Sequence, residues 1–176
     1  MNYHNITTCD MKNGDGLRVV LWVSGCGHHC KNCQNPQTWD MNSGIPFDRA
    51  AEDELFNELG KDYHQGITFS GGDPCNPHNF PQVVYLMDKA KKLYPNKDIW
   101  VYTGYELPHL KSNIPGYRSR DLDMFFRCVD VIVDGPFVDT LKDNTLHWRG
   151  SSNQHVWKKT KSKKGAPTFE KVIFDE

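Results

Sequence analysis

The chain has 176 residues, with 21 Lys or Arg and 22 Asp or Glu, so its formal net charge is -1 at pH 7. This balance excludes a general electrostatic attraction to nucleic acid or to an anionic membrane, and no apolar run approaches the length of a membrane span. Aromatic residues make up 12% of the chain, which favours a folded domain over disorder. The polar first residues, MNYHNITTCDMKNGDG, do not resemble a signal peptide, so the sequence predicts a cytoplasmic protein.

Apolar runs and amphipathic patterns alternate along the chain. The apolar runs, beginning with RVVLWVSG, predict buried strands at 18–25, 66–72, 98–104 and 129–137. Apolar residues spaced by three and four predict helices at 47–60, 80–96 and 119–127. The alternation predicts one α/β domain over residues 1–176, with a mainly parallel sheet and crossover helices.

The last part of the chain differs in composition. Residues 158–167, KKTKSKKGAP, are rich in lysine without an apolar period, which favours a solvated segment over an electrostatic contact with a partner. Residues 168–174, TFEKVIF, alternate between polar and apolar and are predicted as a possible terminal edge strand.

Three of the predicted strands end in loops with chemically distinctive residues. The loops read SGCGHHC from Ser24, SGGDP from Ser70 and VDGPF from Val133. Ligands of open α/β sheets and of βα barrels bind at the carboxyl ends of the strands. We therefore expect these three loops to form one ligand site.

The first of these loops carries three cysteines within eight residues, Cys26, Cys30 and Cys33, in a C-x3-C-x2-C spacing. In a reducing compartment such a cluster indicates metal binding or catalysis more than disulfides. A structural zinc site would need a fourth ligand, from His28, His29 or a distant cysteine. The polar residues between the cysteines argue against a set of unrelated core thiols.

An iron–sulfur cluster explains the missing fourth cysteine. A four-iron cube normally has four thiolate ligands, so three would leave one iron with an open position. Catalytic zinc sites leave a position open in the same way. Under this interpretation the vacancy is where a small molecule binds.

The C-x3-C-x2-C loop after the first core strand resembles the signature of radical S-adenosylmethionine enzymes. The resemblance implies that Cys26, Cys30 and Cys33 are the metal-binding and catalytic cysteines of a [4Fe–4S] cluster. S-adenosylmethionine would chelate the open iron, and its reductive cleavage would give a radical that abstracts hydrogen. The protein would hold and orient the cofactor and exclude water.

The resemblance also implies which residues bind the cofactor. SGGDP resembles the family's glycine-rich motif, in which glycine backbone approaches the methionine amino group because no side chain intervenes. Asn32 stands where much of the family has an aromatic residue, and Asp73 stands where it often has Glu. The expected cofactor-binding residues are Asn32, Cys33, Gln34, Ser70, Gly71, Gly72, Asp73 and Thr103.

VDGPFVDTLKD, at 133–143, and LHWRGSSNQ, at 146–154, resemble a narrower family, the activating proteins of anaerobic ribonucleoside-triphosphate reductases. The resemblance implies that the substrate is the large subunit of that reductase and that the product is a glycyl radical on it. It also implies an electron donor such as a flavodoxin-type protein. Because a full eight-unit barrel needs about 250 residues, a partial (incomplete) parallel βα barrel of the radical S-adenosylmethionine type is expected.

Several further residues have a structural interpretation beside the functional one. His28 and His29 are expected as solvated loop residues rather than ligands, and Cys75 as a small buried thiol. Cys128 is expected in the core, whereas the role of Cys9 stays open. Three side chains have both interpretations left open: Asp134 as a cap or a ligand contact, Arg149 as a structural or a substrate ion pair, and Trp148 as core or docking surface, an alternative it shares with Trp39.

Two other functions remain as alternatives. One is another small radical enzyme, either a different glycyl-radical activator or an enzyme of the deazaguanine synthase type. The other is a zinc-bound module that uses its lysine-rich tail on nucleic acid, with a salt-dependent affinity. The residues WRGSSNQ argue against the first, and the lack of a second cysteine pair argues against the second.

Overall fold

A single eight-stranded sheet organises the computed structural model, which describes residues 1–112, 116–160 and 167–174. The strands are β1 (Asn2–Asp10), β2 (Arg18–Val23), β3 (Ile45–Pro46), β4 (Gly66–Gly71), β5 (Asp98–Tyr102), β6 (Val131–Asp134), β7 (His155–Thr160) and β8 (Thr168–Lys171). The helices are α1 (Arg49–Leu59), α2 (Phe80–Leu93), α3 (Leu107–Lys111) and α4 (Ser119–Cys128). The order across the sheet is β3-β1-β2-β4-β5-β6-β7-β8.

The sheet is mixed, and only its centre is parallel. Strands β2, β4, β5 and β6 pair in parallel, with α1, α2 and the α3–α4 region as crossovers. Antiparallel pairs flank this centre, β1 with β2 and β3 on one side and β6, β7 and β8 on the other. The expectation of a mainly parallel sheet is therefore wrong outside the four central strands, although the α/β class is confirmed.

The two faces of the sheet differ in what covers them. Alternate residues of β2, Val19, Leu21 and Val23, face the large hydrophobic core, into which all four described helices also pack. Helix α1 begins at a cap in which the Asp48 carboxylate accepts a hydrogen bond from the Ala51 amide. On the opposite face, Trp100 belongs to a separate small cluster with three valines of β6 and β7. This second cluster is much smaller than the core on the first face.

Arg18 is a buried cation on the face of the sheet opposite the main core. The Arg18 side chain is completely buried and donates to the Thr68 hydroxyl at 2.7 Å. It also forms an ion pair with the Asp98 carboxylate, 2.6 Å away, and lies over the Trp100 ring. Because its charge is paired and hydrogen-bonded, its burial is sustainable.

The elements at both ends depart from the expectations. The polar beginning of the chain forms β1, and residues Lys158–Thr160, expected in a solvated segment, are the end of β7. The rest of the lysine-rich segment, 161–166, lies outside the described residues. The expected terminal strand is confirmed as β8, which pairs with β7. Across the parts of the chain described, no helix is both long and apolar enough to span a membrane.

Candidate functional site

The three cysteines lie on a loop that follows β2 directly, as expected. We call residues 24–35 the cysteine loop. At its base, the Gly25 amide donates to the Thr38 carbonyl at 2.7 Å and the Cys26 amide to the Trp39 carbonyl at 3.0 Å. Gly25 has a φ of +96°, a conformation that favours glycine. The loop thus leaves the sheet sharply and is closed by the turn around residues 36–39.

Backbone amides point at the sulfur atoms. The backbone of His28 and of His29 acts to lower the pKa of the Cys26 thiol, and the backbone of Phe137 acts in the same direction on the Cys30 thiol. The Asn35 amide donates to the Cys33 Sγ at 3.4 Å. Amide donors stabilise thiolate charge, and such bonds are among the features that set the potentials of iron–sulfur clusters.

Burial works against ionisation in the absence of a metal. It raises the pKa of the half-buried Cys26 thiol to about 11, against which the two amide donors act in the opposite direction. Burial also raises the pKa of Cys30, with smaller contributions from the charge of Cys33 and of Asp73. A bound cation would reverse this preference, because coordination deprotonates a thiol.

The three thiols are not arranged around a single point. Among the described His, Cys, Asp and Glu side chains, no group of three or more is placed to hold one metal ion. A tetrahedral zinc site requires its sulfurs to converge within about 2.3 Å of one ion. In a four-iron cube each thiolate binds a different iron atom, so three thiols on one loop with amide donors fit that group better.

Asp73, in the loop after β4, connects the cysteine loop to the end of β5. Its carboxylate is fully buried and accepts hydrogen bonds from the Thr103 hydroxyl at 2.9 Å, the Gly104 amide at 3.1 Å and the Cys75 amide at 2.8 Å. His28 Nε2 lies 2.7 Å from the same carboxylate. Asp73 therefore connects the cysteine loop, through His28, to Thr103 at the end of β5. Neither Asp73 nor Thr103 lines the cleft that contains Cys33.

His28 is only partly the solvated loop residue expected, since its side chain is 21% exposed and also contacts the buried Asp73 carboxylate. Its hydrogen bond to Asp73 raises the pKa of the His28 imidazole, while burial acts to lower it. The ring also packs edge-on against Tyr105, with centroids 4.7 Å apart. A Cβ on Gly104 would lie 2.4 Å from the His28 ring, so this position has no room for a side chain. His29, in contrast, is exposed as expected and contacts Trp39.

Gly71 and Gly72 both lie against backbone of the neighbouring strand and loop, which leaves no room for a side chain at either position. A Cβ on Gly71 would lie 2.7 Å from the Val23 carbonyl oxygen, and one on Gly72 would lie 2.6 Å from the Gly25 carbonyl oxygen. The Gly72 amide donates to Val23 and the Asp73 amide to Gly25, at 2.7 and 2.8 Å. The two glycines make room for the protein's own backbone at the base of the cysteine loop.

Asn79, which the sequence reasoning did not select, strengthens the same junction. Its buried amide nitrogen donates to the Ser24 carbonyl at 2.7 Å and to the Asp73 carbonyl at 3.1 Å. The residue directly precedes α2, so the helix start is fixed against both loops. Its position before a predicted helix was visible in the sequence, but its contacts 55 residues away were not.

The stretches DGPF and WRGSSNQ are bound to each other. The Asn153 side chain donates to the Pro136 carbonyl at 2.8 Å, and the Gln154 side chain donates to the Gly135 carbonyl at 2.9 Å. The Gln154 side-chain oxygen in turn accepts from the Gly150 amide at 2.9 Å. These bonds hold the segment that contains Phe137, whose backbone acts to lower the pKa of the Cys30 thiol.

A cleft of about 540 Å³ opens beside the cysteine loop, on the face of the sheet opposite the main core. Its walls include three of the expected site residues, Cys33, Gln34 and Ser70, together with Tyr102 and Arg149. This volume is in the usual range for pockets that bind small molecules. The cleft lies at the carboxyl ends of the central strands, where the sequence predicts the ligand site.

The remaining candidates have varied surroundings. Asn32 is exposed, and its side chain donates to Asp139 at 2.8 Å, so it links the cysteine loop to the loop after β6. Asp134 is buried and accepts from the Leu107 amide at 2.7 Å, which is a capping role at α3. Trp148 lines the cleft and packs edge-on against Trp100.

The outlying thiols follow the expectations where these were definite. Cys75 and Cys128 are buried, as expected, whereas Cys9 is exposed on β1. Burial raises the pKa of Cys75 far above its ordinary value, so this thiol stays protonated.

Comparison with known proteins supports the iron–sulfur interpretation over the zinc module. A family model described as a 4Fe-4S single cluster domain matches residues 12–157. The anaerobic ribonucleoside-triphosphate reductase-activating protein of Escherichia coli K12 is 47% identical over 158 residues, covering 89% of this chain and 97% of the relative. The proteins of the same name from Enterobacteria phage T4 and Haemophilus influenzae are 42% and 40% identical, covering 91% and 89% of this chain and 96% and 97% of the relatives.

Proposed function

Since the chain belongs to the family of anaerobic ribonucleoside-triphosphate reductase-activating proteins, we propose that it generates a glycyl radical on the large subunit of such a reductase. The proposed reaction is reductive cleavage of S-adenosylmethionine at a [4Fe–4S] cluster held by Cys26, Cys30 and Cys33. When bound, the cluster supplies the electron that splits S-adenosylmethionine into methionine and a 5'-deoxyadenosyl radical, which takes a hydrogen atom from a glycine Cα.

The arrangement around the three thiols is the observation that carries this proposal. The Asn35 amide donates to the Cys33 sulfur at 3.4 Å, nearby backbone acts to lower the pKa of Cys26 and of Cys30, and the loop has no fourth cysteine. The donors favour thiolate ligands, and three thiolates leave one iron of a cube available to a small molecule. In this proposal the open position is occupied by the amino and carboxylate groups of S-adenosylmethionine.

The chain's own residues would then orient the small molecule and shelter the reaction. Gln34 and Ser70 line the cleft next to Cys33 and offer polar groups to a ligand. The hydrogen bonds of Asp73 to Thr103 and to His28 hold the cysteine loop in place. In this proposal a segment of the protein substrate enters the cleft beside Cys33.

Further partners and the compartment belong to the same proposal. The reaction needs a low-potential electron donor, for which a flavodoxin-type protein is suitable. Free thiols and a reducing environment suit the cytoplasm.

Electron paramagnetic resonance tests the proposal directly. Protein reconstituted without oxygen and reduced with dithionite should give a [4Fe–4S] signal that changes when S-adenosylmethionine is added. Adding the reductase large subunit should then produce a glycyl radical signal. Cys30→Ala should abolish these signals, whereas the exposed Cys9→Ala serves as the matched control and should keep them.

Two results would contradict the proposal in different ways. Zinc without iron in the metal analysis would favour the alternative of a zinc-bound module. An iron signal that S-adenosylmethionine does not change would retain the cluster and remove the radical chemistry.

A further inference from the structure

Tyr102, the last residue of β5, lies on the floor of the cleft. Strand register places it beside Ser70, since Phe69 pairs with Val101, and opposite Val133 of β6. Ser70 and Tyr102 both line the cleft, as does Cys33 of the cysteine loop. A group that enters the cleft next to Cys33 therefore reaches this row of side chains.

The Tyr102 hydroxyl is buried and has no hydrogen-bond partner among the residues that the structure describes. Three of the other six tyrosines have a hydrogen-bond partner for the hydroxyl. Tyr94 donates to the Phe56 carbonyl at 3.1 Å, Tyr85 to Glu52 at 3.0 Å, and Tyr117 to the Cys75 carbonyl. Because buried polar groups in folded proteins are nearly always paired, an unpaired hydroxyl in a cleft indicates a ligand.

The surroundings favour a neutral hydroxyl that donates. Burial raises the pKa of Tyr102, so the phenol keeps its proton; the nearby Arg18 charge acts to lower this pKa and the Asp10 charge to raise it. Arg18 is itself committed to Thr68 and Asp98. A neutral phenol can donate its hydrogen to an acceptor oxygen.

We propose that the Tyr102 hydroxyl donates a hydrogen bond to an acceptor oxygen of the molecule that occupies the cleft during activation. This inference rests on the proposed function and deepens it. Two molecules offer such an oxygen: S-adenosylmethionine, through its ribose or carboxylate, and the glycine-bearing segment of the reductase, through a backbone carbonyl. The hydroxyl fixes the occupant at the floor of the cleft, while Cys33 marks the wall nearest the reacting group.

Tyr102→Phe isolates the hydroxyl, because it removes one oxygen and keeps the ring. The exposed Tyr63→Phe is the matched control, since it removes the same atom from a surface ring. Two quantities should be measured on reconstituted protein: the dissociation constant of radiolabelled S-adenosylmethionine by equilibrium dialysis, and the KM for the reductase large subunit. The unfolding free energy of the cluster-free variants gives a structural readout.

We expect Tyr102→Phe to weaken one of the two interactions by about fivefold to tenfold, as the loss of one neutral hydrogen bond implies. A raised dissociation constant assigns the bond to S-adenosylmethionine, and a raised KM alone assigns it to the protein substrate. The unfolding free energy should not fall, because no bond within the protein is removed.

Other results would overturn the inference. If Tyr102→Phe matches the wild-type protein in both constants, or only loses stability, the hydroxyl has no ligand role. Wild-type protein that fails to bind S-adenosylmethionine would instead refute the proposed function, so the two failures are distinguishable.

Discussion

The Nε2 atom of His28 lies 2.7 Å from the Oδ2 atom of Asp73, and this contact joins two loops whose residues are 45 positions apart. His28 belongs to the cysteine loop, and Asp73 belongs to the loop after β4. The contact therefore fixes the two loops relative to each other. Three predictions test this arrangement and the loops around it, and a fourth concerns His64, which lies before the other end of β4.

Replacing Asp73 by alanine should destabilise the cluster-free protein by about 3 kcal/mol, because several buried donors lose their acceptor at once. These donors are the Thr103 hydroxyl and the amides of Cys75 and Gly104. Urea denaturation measures the change. The control is Asp53→Ala, which removes an exposed ion pair with Arg49 and should leave the unfolding free energy nearly unchanged. Equal losses in the two variants would contradict the bracing role of Asp73.

Gly104→Ala should displace the His28 ring, since the new Cβ would lie 2.4 Å from it. We expect a loss of about 1–3 kcal/mol in unfolding free energy and a lower iron content after anaerobic reconstitution. Gly27→Ala is a sharp control, because it lies within the cysteine loop and a Cβ there would meet nothing within 4 Å. The reverse order of iron contents would show that the His28 position does not matter for the loop.

Gln154→Ala should loosen the segment that directs the Phe137 backbone at the Cys30 sulfur. The variant loses the bonds to Gly135 and Gly150, with an expected cost of about 1–2 kcal/mol. Since an amide donor stabilises the more negative reduced cluster, the reduction potential of the reconstituted protein should become more negative. Redox titration followed by electron paramagnetic resonance measures it. The exposed Asn144→Ala is the control and should leave the reduction potential unchanged. An unchanged potential in Gln154→Ala as well would show that the Gln154 side chain does not influence the cluster.

His64 should make the cluster-free protein less stable in acid. Burial lowers the pKa of His64, and the charge of Lys97 lowers it further. The unfolded chain then binds the proton more readily, so stability is highest above the unfolded pKa of about 6.5 and falls as the pH decreases through the folded pKa. His64→Phe should flatten this part of the profile of unfolding free energy against pH. The exposed His78→Gln should keep it, and identical profiles for both variants would be contrary to expectation.

The central elements were predictable because their burial follows from the sequence pattern. The apolar run at 18–25 corresponds to β2 (Arg18–Val23), which is buried on both faces. Strand β1 escaped prediction because only Tyr3 and Ile6 of its residues are buried, and because its pairing with β2 shifts register twice. A polar strand with irregular alternation leaves no clear period of two.

The shared loop of the three cysteines was predictable from the sequence, and the contacts that support this loop were not. The spacing of Cys26, Cys30 and Cys33 is local information, and the three residues indeed share one loop. The pairing of His28 with Asp73 depends on how β2 and β4 lie side by side, which no local pattern contains. The reason for Gly72 was also invisible, since the contact that excludes a side chain comes from Gly25 on another strand's end.

The close backbone contact between Gly72 and Gly25 makes it possible to measure the opening of the cysteine loop. The amides of Gly72 and Asp73 are both bonded to carbonyls at the base of that loop, at 2.7 and 2.8 Å, with no space for a side chain between the backbones. Solvent deuterons can reach these two amides only when the backbones separate. Their hydrogen–deuterium exchange rates therefore measure how often the loop lifts away from the sheet, with or without metal present.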